Sequence, residues 1–168
     1  MKHGPRFIPT FRRHREGVTD YRKRKKLLKS RKIRAVIRKT LNRVIVQFVK
    51  YNENGDIIVA SAVSSDLKKY GWKTPMDSTS AAYLTGVLAG KRAKKAGVEE
   101  CIVDIGRYTA SKGSRLFAAV KGIVDAGVNC PCDESMFPDE KRINGEHLKH
   151  KPTVPVEQIK DQILGGKT

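Results

Sequence analysis

The chain has 168 residues, with 35 Lys and Arg against 17 Asp and Glu and a formal net charge of +18. That length buries one core and not two, and no apolar run approaches the ~20 residues needed to span a bilayer, which excludes the integral membrane classes. The opening Met1-Lys2-His3-Gly4-Pro5-Arg6 has no apolar stretch of secretory type behind it, and three cysteines make no disulfide framework, so a cytoplasmic protein with reduced thiols is expected.

The charge is segregated. Residues 1–50 hold 18 Lys and Arg with only Glu16 and Asp20 as acids, whereas residues 51–168 hold 17 against 15. Self-repulsion of that density opposes compaction and calls for a polyanion. Nucleic acid is the expected partner. A membrane surface fits less well: Phe7, Ile8 and Phe11 are available to insert, but the basic run after them has no wide apolar face.

Residues 1–18, with Pro5, Pro9 and Gly17 among Arg12, Arg13 and Arg15, show no period and read as an extended arm. Thr19 is placed to N-cap a basic helix from Asp20 to Lys29 whose apolar anchors are Tyr21, Leu27 and Leu28. From Ile33 the pattern alternates through Arg38, turns at Thr40-Leu41-Asn42 and resumes over Arg43–Tyr51, which predicts a strand pair. Asn54-Gly55 is a strong hairpin signal and introduces a third strand over 56–63. Thr79 or Ser80 then caps a helix through Ala96, stopped by Gly97. Residues 100–105 form a short buried strand, and a second helix runs from Ser114 to Ala126. The helical Gly86 and Gly90 predict close packing on the sheet. Residues 129–155 are irregular, and Val156, Ile159, Ile163 and Leu164 mark a short C-terminal helix. The fold class is therefore α/β: an antiparallel three-stranded start, a further strand joining one sheet, and helices packed on it. Three regions are expected: a basic arm and helix (1–32), a globular domain (33–128) and an irregular C-terminal segment (129–168).

Three groups of residues suggest contacts. The loop Gly106–Arg115 carries Arg107, Lys112 and Arg115 into a helix N-terminus, a seat for backbone phosphate, although its spacing is not that of a nucleotide-binding loop. Tyr70 and Trp72, bracketed by lysines, are either a base-stacking pair or the cover of a core edge. Lys39, Asn42 and Arg43 surround the first hairpin turn. Catalysis has little support: Asp104 lies in a strand, but metal-assisted hydrolysis needs several converging carboxylates, and Asp56 and Asp66 are not obviously placed to join it. Cys130, Cys132, His147 and His150 depart from the usual zinc spacings and read as free thiols beside unrelated histidines, so no metal and no cofactor are expected.

Several collinear blocks resemble one family. They are Phe11-Arg12-Arg13-His14-Arg15-Glu16, Asp20-Tyr21-Arg22-Lys23-Arg24, Ser64-Ser65-Asp66-Leu67 with Tyr70-Gly71-Trp72, Ala81-Ala82-Tyr83-Leu84-Thr85-Gly86, Asp104-Ile105-Gly106, Lys112-Gly113-Ser114-Arg115, Asp125-Ala126-Gly127 and Ile143-Asn144-Gly145-Glu146-His147. Together they are similar to the universal 5S-rRNA-binding proteins of the large ribosomal subunit, the eighteenth in the unified naming, in the archaeal and eukaryotic-like form. The resemblance implies a ribonuclease-H-like fold without the activity and a non-enzymatic protein of the cytoplasmic ribosome. Its implied partners are 5S rRNA, 23S-type rRNA and neighbouring proteins of the central protuberance, with no membrane. It also implies RNA contact by Arg12, Arg13, Arg15, Tyr21, Arg22, Arg24, Lys25, Arg31 and Lys32 of the arm, Lys39, Asn42 and Arg43 of the hairpin turn, and Lys112, Ser114 and Arg115 of the loop. Tyr70 and Trp72 complete the expected RNA-binding set.

Overall fold

A computed structural model describes residues 4, 6, 8–148, 152 and 154–166. The basic arm is not wholly extended: Arg12–Arg15 form one helical turn, α1, and α2 follows at Tyr21–Leu28. Between them the chain folds back, with Gly17 at φ +69° and Arg13 Nε donating to Thr19 Oγ1 at 3.0 Å. The cap of α2 is Asp20, one residue later than expected. Its carboxylate accepts the N–H groups of Arg22 (3.0 Å) and Lys23 (3.1 Å), and the Lys23 N–H in particular holds this carboxyl below its ordinary range. Neither helix buries a residue. Helices this short are marginal on their own, and the polar contacts above help to hold them.

The alternation over 33–63 produces β1 (Arg34–Lys39), β2 (Val44–Lys50) and β3 (Ile57–Val63), paired antiparallel in that order. Thr40 closes the first turn: its N–H donates to Arg43 O at 2.8 Å and its hydroxyl accepts the Arg43 N–H at 3.0 Å. The strand after the central helix, β4 (Ile102–Asp104), lies parallel to β1, giving a mixed sheet of order β3-β2-β1-β4. One face of the sheet, Ala35, Ile37, Val44, Val46, Phe48, Ala60 and Ala62, is fully buried in the core. Against it pack α3 (Thr79–Lys95) and α4 (Arg115–Asp125).

Ser78, not Thr79 or Ser80, caps α3 by accepting the Ala81 N–H at 3.1 Å. Before it, Ser64–Tyr70 form a 3₁₀ helix that the sequence pattern did not foretell, ended by Gly71 at φ +82°. The glycines of α3 face α4 rather than the sheet. A Cβ on Gly86 would lie 2.1 Å from the Ala119 carbonyl oxygen, and one on Gly122 would lie 2.2 Å from that of Tyr83. The two helices therefore touch backbone to backbone, which is what small residues on both sides permit.

The C-terminal region adds a 3₁₀ turn (Glu134–Met136), α5 (Glu140–Ile143) and α6 (Val156–Gly165). It is less peripheral than its irregular sequence suggests, because Ile143, Val156, Ile159 and Ile163 are buried in the same core as the sheet. Lys91 of α3 secures the end of α6, donating to Ile163 O at 2.6 Å and also to Gly166 O. Cys101 and Cys130 are buried free thiols brought side by side, the Cys101 N–H donating to Asn129 O at 2.9 Å. The hydrogen-bonding Cys130 sulfur and burial push the Cys101 thiol up. Among the described residues no group of three or more His, Cys, Asp or Glu is placed to hold a metal ion, and His150 lies outside them.

Candidate nucleic-acid interface

The sheet face turned away from α3 and α4 carries charge. Along β1 the outward positions are Arg34, Val36 and Arg38, and at the end of β4 stands Asp104. Arg34 is only 2% exposed. Its guanidinium donates to Asp104 Oδ2 at 2.8 Å and to Asp56 Oδ2 at 2.6 Å. Arg38 reaches Asp104 Oδ1 at 3.1 Å, and Arg24 of α2 grips Asp56 at 2.8 Å. The result is one alternating chain, Arg24–Asp56–Arg34–Asp104–Arg38, that ties the basic helix to the sheet. Burial alone would raise the Asp104 carboxyl. Arg38, the Gly106 N–H and Arg34 outweigh it and hold the group below the usual carboxylate range.

This arrangement bears on the nuclease alternative. Asp56 does reach the neighbourhood of Asp104, but a guanidinium occupies the space between the two carboxylates, while Asp66 pairs elsewhere, with Arg92 at 2.8 Å. Carboxylates already neutralised by arginine are poor ligands for a divalent cation.

Around that chain lies an open cleft of about 1100 Å³ between the arm and the sheet, lined among others by Arg13, Lys23, Lys26, Arg38 and Arg107. The hairpin turn and the 106–113 loop meet at one end. Tyr108 Oη donates to Lys39 O at 2.6 Å, and the Lys39 ammonium sits 5.3 Å from the Tyr108 ring centre. Arg107 of the same loop approaches the arm at Gly17, where a Cβ would lie 3.4 Å from its Nη1. Arm, hairpin turn and loop are thus neighbours although they are far apart in sequence.

Of the expected contacts, Arg12, Arg13, Arg15, Tyr21, Arg22, Lys25, Arg31, Asn42, Arg43 and Lys112 are exposed, Arg13 at the cleft itself, with Arg12 3.5 Å from Glu16 and Arg13 bonded to Thr19. Four other expected cations are engaged by the fold: Arg24 by Asp56, Lys32 by Glu100 at 2.6 Å, Arg115 by Asp77 at 2.9 Å, and Lys39 by the Tyr108 ring. Trp72 is corrected. It is 3% exposed and belongs to the core cluster, so its indole presents no face to a base; Tyr70 is half-buried and packs against the same cluster. The expected phosphate seat is also changed. The Gly113 N–H donates to Met136 O at 3.0 Å and the Ser114 N–H to Ser111 O at 3.3 Å, while Ser114 Oγ is buried without a partner. These N–H groups are taken up within the fold, leaving Arg107 and Lys112 as the exposed cations of the loop. Lys23, Lys26, Arg38 and Arg107 line the cleft and lie outside the expected set. Arg107 is one of three loop cations with nothing in the sequence to single it out.

Comparison with known proteins follows the same direction. A family profile described as "Ribosomal large subunit proteins 60S L5, and 50S L18" matches residues 5–100. The chain is 53% identical over 148 residues to the large ribosomal subunit protein uL18 of Korarchaeum cryptofilum, covering 88% of this chain and 76% of that one. It is equally 53% identical over 148 residues to uL18 of Methanothermobacter thermautotrophicus, covering 88% and 77%. The chain belongs to this family of large-subunit ribosomal proteins, and its role is that of a structural constituent of the ribosome and not of an enzyme.

Proposed function

We propose that this member of the large-subunit family binds 5S rRNA and holds it against 23S-type rRNA in the central protuberance, with neighbouring ribosomal proteins around it. The carrying observation is the clustering of exposed cations on the arm, the hairpin turn and the 106–113 loop, three separated segments that the fold makes adjacent. Phosphate contacts of this kind supply affinity and fix orientation, while unpaired bases and RNA shape supply selectivity. In this reading Arg12, Arg13, Arg15, Arg22, Lys25 and Arg31 lie along backbone phosphates, and Arg43, Asn42, Lys112 and Arg107 engage a second segment. The basic stretch 1–32 acts as the RNA-binding arm of the domain formed by 33–128, and 129–168 buttresses it. The antiparallel opening of the sheet and the parallel β4 beside β1 support a ribonuclease-H-like fold, in which Asp104 serves an arginine–aspartate lock.

The test is binding to 5S rRNA and to a length-matched unrelated structured RNA, across a salt series with excess competitor tRNA. A preference for 5S rRNA that survives competition is expected. Equal binding to both RNAs would reduce the protein to a basic coat and remove the support for this assignment.

A further inference from the structure

The exposed apolar groups of the arm are gathered in one place. Ile8 is 86% exposed and Phe11 74%, and the Phe11 ring stands 5.3 Å from the Tyr21 ring, centre to centre, tilted by 51°. The two rings wall a groove of about 940 Å³ that also takes in Pro9, His14, Arg22, Lys23 and Arg107. Asp20 lines the groove as well, but its carboxylate is already committed to the first N–H groups of α2. Among the described residues Phe11 stays exposed, its ring meeting that of Tyr21.

The occupant follows from this chemistry. An apolar peptide or helix needs a wide apolar face free of cations, and here cations stand around the aromatic pair. The matching ligand is flat and apolar on its faces and anionic at its edges. We propose that the exposed outer face of Phe11, its ring braced by the contact with Tyr21, forms the wall of a stacking slot for one unpaired base of the bound ribosomal RNA, with Arg22, Lys23 and Arg107 on the adjoining phosphates. The slot rests on the rRNA-binding reading above and adds to it a residue that contributes no charge. Removing such a residue lowers affinity without changing the number of phosphates neutralised.

The full chain, as wild type, Phe11→Ala, Phe11→Leu and Phe11→Trp, is titrated separately with 5S rRNA, with protein-free large-subunit rRNA and with a fully paired RNA duplex. Phe11→Ala and Phe11→Leu are expected to lose roughly 10- to 100-fold on one of the two rRNAs, which identifies the source of the base. Affinity for the duplex and the salt slope stay unchanged. Phe11→Trp keeps its affinity, and its indole emission is quenched by the same rRNA above the constant signal of buried Trp72. Wild-type affinity for both rRNAs in Phe11→Ala, recovery in Phe11→Leu, or an equal loss on the duplex would each overturn the slot. Failure of the wild type to prefer either rRNA over the duplex would instead defeat the rRNA-binding reading and the slot with it.

Discussion

Replacing Asp104 by Asn tests the arginine–aspartate lock directly. In the native chain the carboxylate, its side chain 8% exposed, accepts from Arg34 at 2.8 Å, Arg38 at 3.1 Å and the Gly106 N–H at 2.9 Å. The amide keeps the shape but removes the charge that compensates a guanidinium only 3% exposed. Removing one partner of a buried ion pair costs ~3–5 kcal/mol. Arg34 retains Asp56 at 2.6 Å, and Asn retains one acceptor oxygen, so the loss belongs at the lower end, about 3 kcal/mol. Urea unfolding followed by far-UV circular dichroism reads this as a lower midpoint at unchanged slope. The pH dependence has a definite sign. The folded carboxyl titrates below its unfolded value, so its contribution is present in full above the unfolded pKa and is lost as pH falls through the folded one. The gap between wild type and Asp104→Asn is therefore flat around neutrality and closes under acid conditions, below about pH 4. A variant as stable as the wild type at neutral pH, or a gap that does not close in acid, would refute the lock.

Three further outcomes are expected. Gly86→Ala places a methyl 2.1 Å from the Ala119 carbonyl oxygen and forces α3 and α4 apart, at a cost of about 3 kcal/mol, seen as a lowered thermal midpoint. Deletion of residues 1–30 leaves a cooperatively folding domain, since neither α1 nor α2 buries a residue, but sharply weakens rRNA binding; loss of the unfolding transition would show that the arm is structural. Trp72→Ala destabilises by ~3–5 kcal/mol through the cavity it leaves and, at temperatures where the variant is folded, binds rRNA with wild-type affinity, whereas weakened binding with unchanged stability would return the indole to the interface.

The sheet was legible because its signals are local. The alternation over 33–63, the Asn54-Gly55 turn and the glycines after α3 and α4 each constrain backbone within a few residues. What escaped the sequence depended on partners distant along the chain. Trp72, set among lysines, looks like a stacking residue until the rest of the core closes around it. Gly86 has an ambiguous partner until α4 is seen to carry Gly122 opposite Tyr83. The approach of Asp56 to Asp104 depends on strand register and on the bulge at Phe48 and Val49, neither of which the pattern of apolar residues specifies. The site shows the same division: the basic arm is visible from charge alone, while the use of the Gly113 and Ser114 N–H groups within the fold follows from contact with Met136 and Ser111.

The charge visible in sequence also overstates the charge that RNA meets. Of the cations expected at the interface, Arg24, Lys32, Lys39 and Arg115 are already held by Asp56, Glu100, the Tyr108 ring and Asp77. For each of these, binding a phosphate means giving up a favourable contact, so the exchange gains little. Arg12, Arg13, Arg15, Arg22, Lys25, Arg31, Arg43 and Lys112 are exposed; Arg12 faces Glu16 only across a solvated 3.5 Å contact and Arg13 bonds a neutral hydroxyl, so all eight meet phosphate at lower cost. Eight neutralised phosphates give a log–log salt slope of about −6 on unpaired RNA and about −7 with the duplex coefficient. If the four engaged cations exchange as well, the slope steepens to about −8 or −11 respectively. A salt series on the wild type and on Asp56→Asn, which releases Arg24 from its carboxylate, separates the two cases. The engaged reading expects the variant slope to steepen by about one, and an identical slope in both proteins would mean that Arg24 already exchanges its aspartate for phosphate in the native complex.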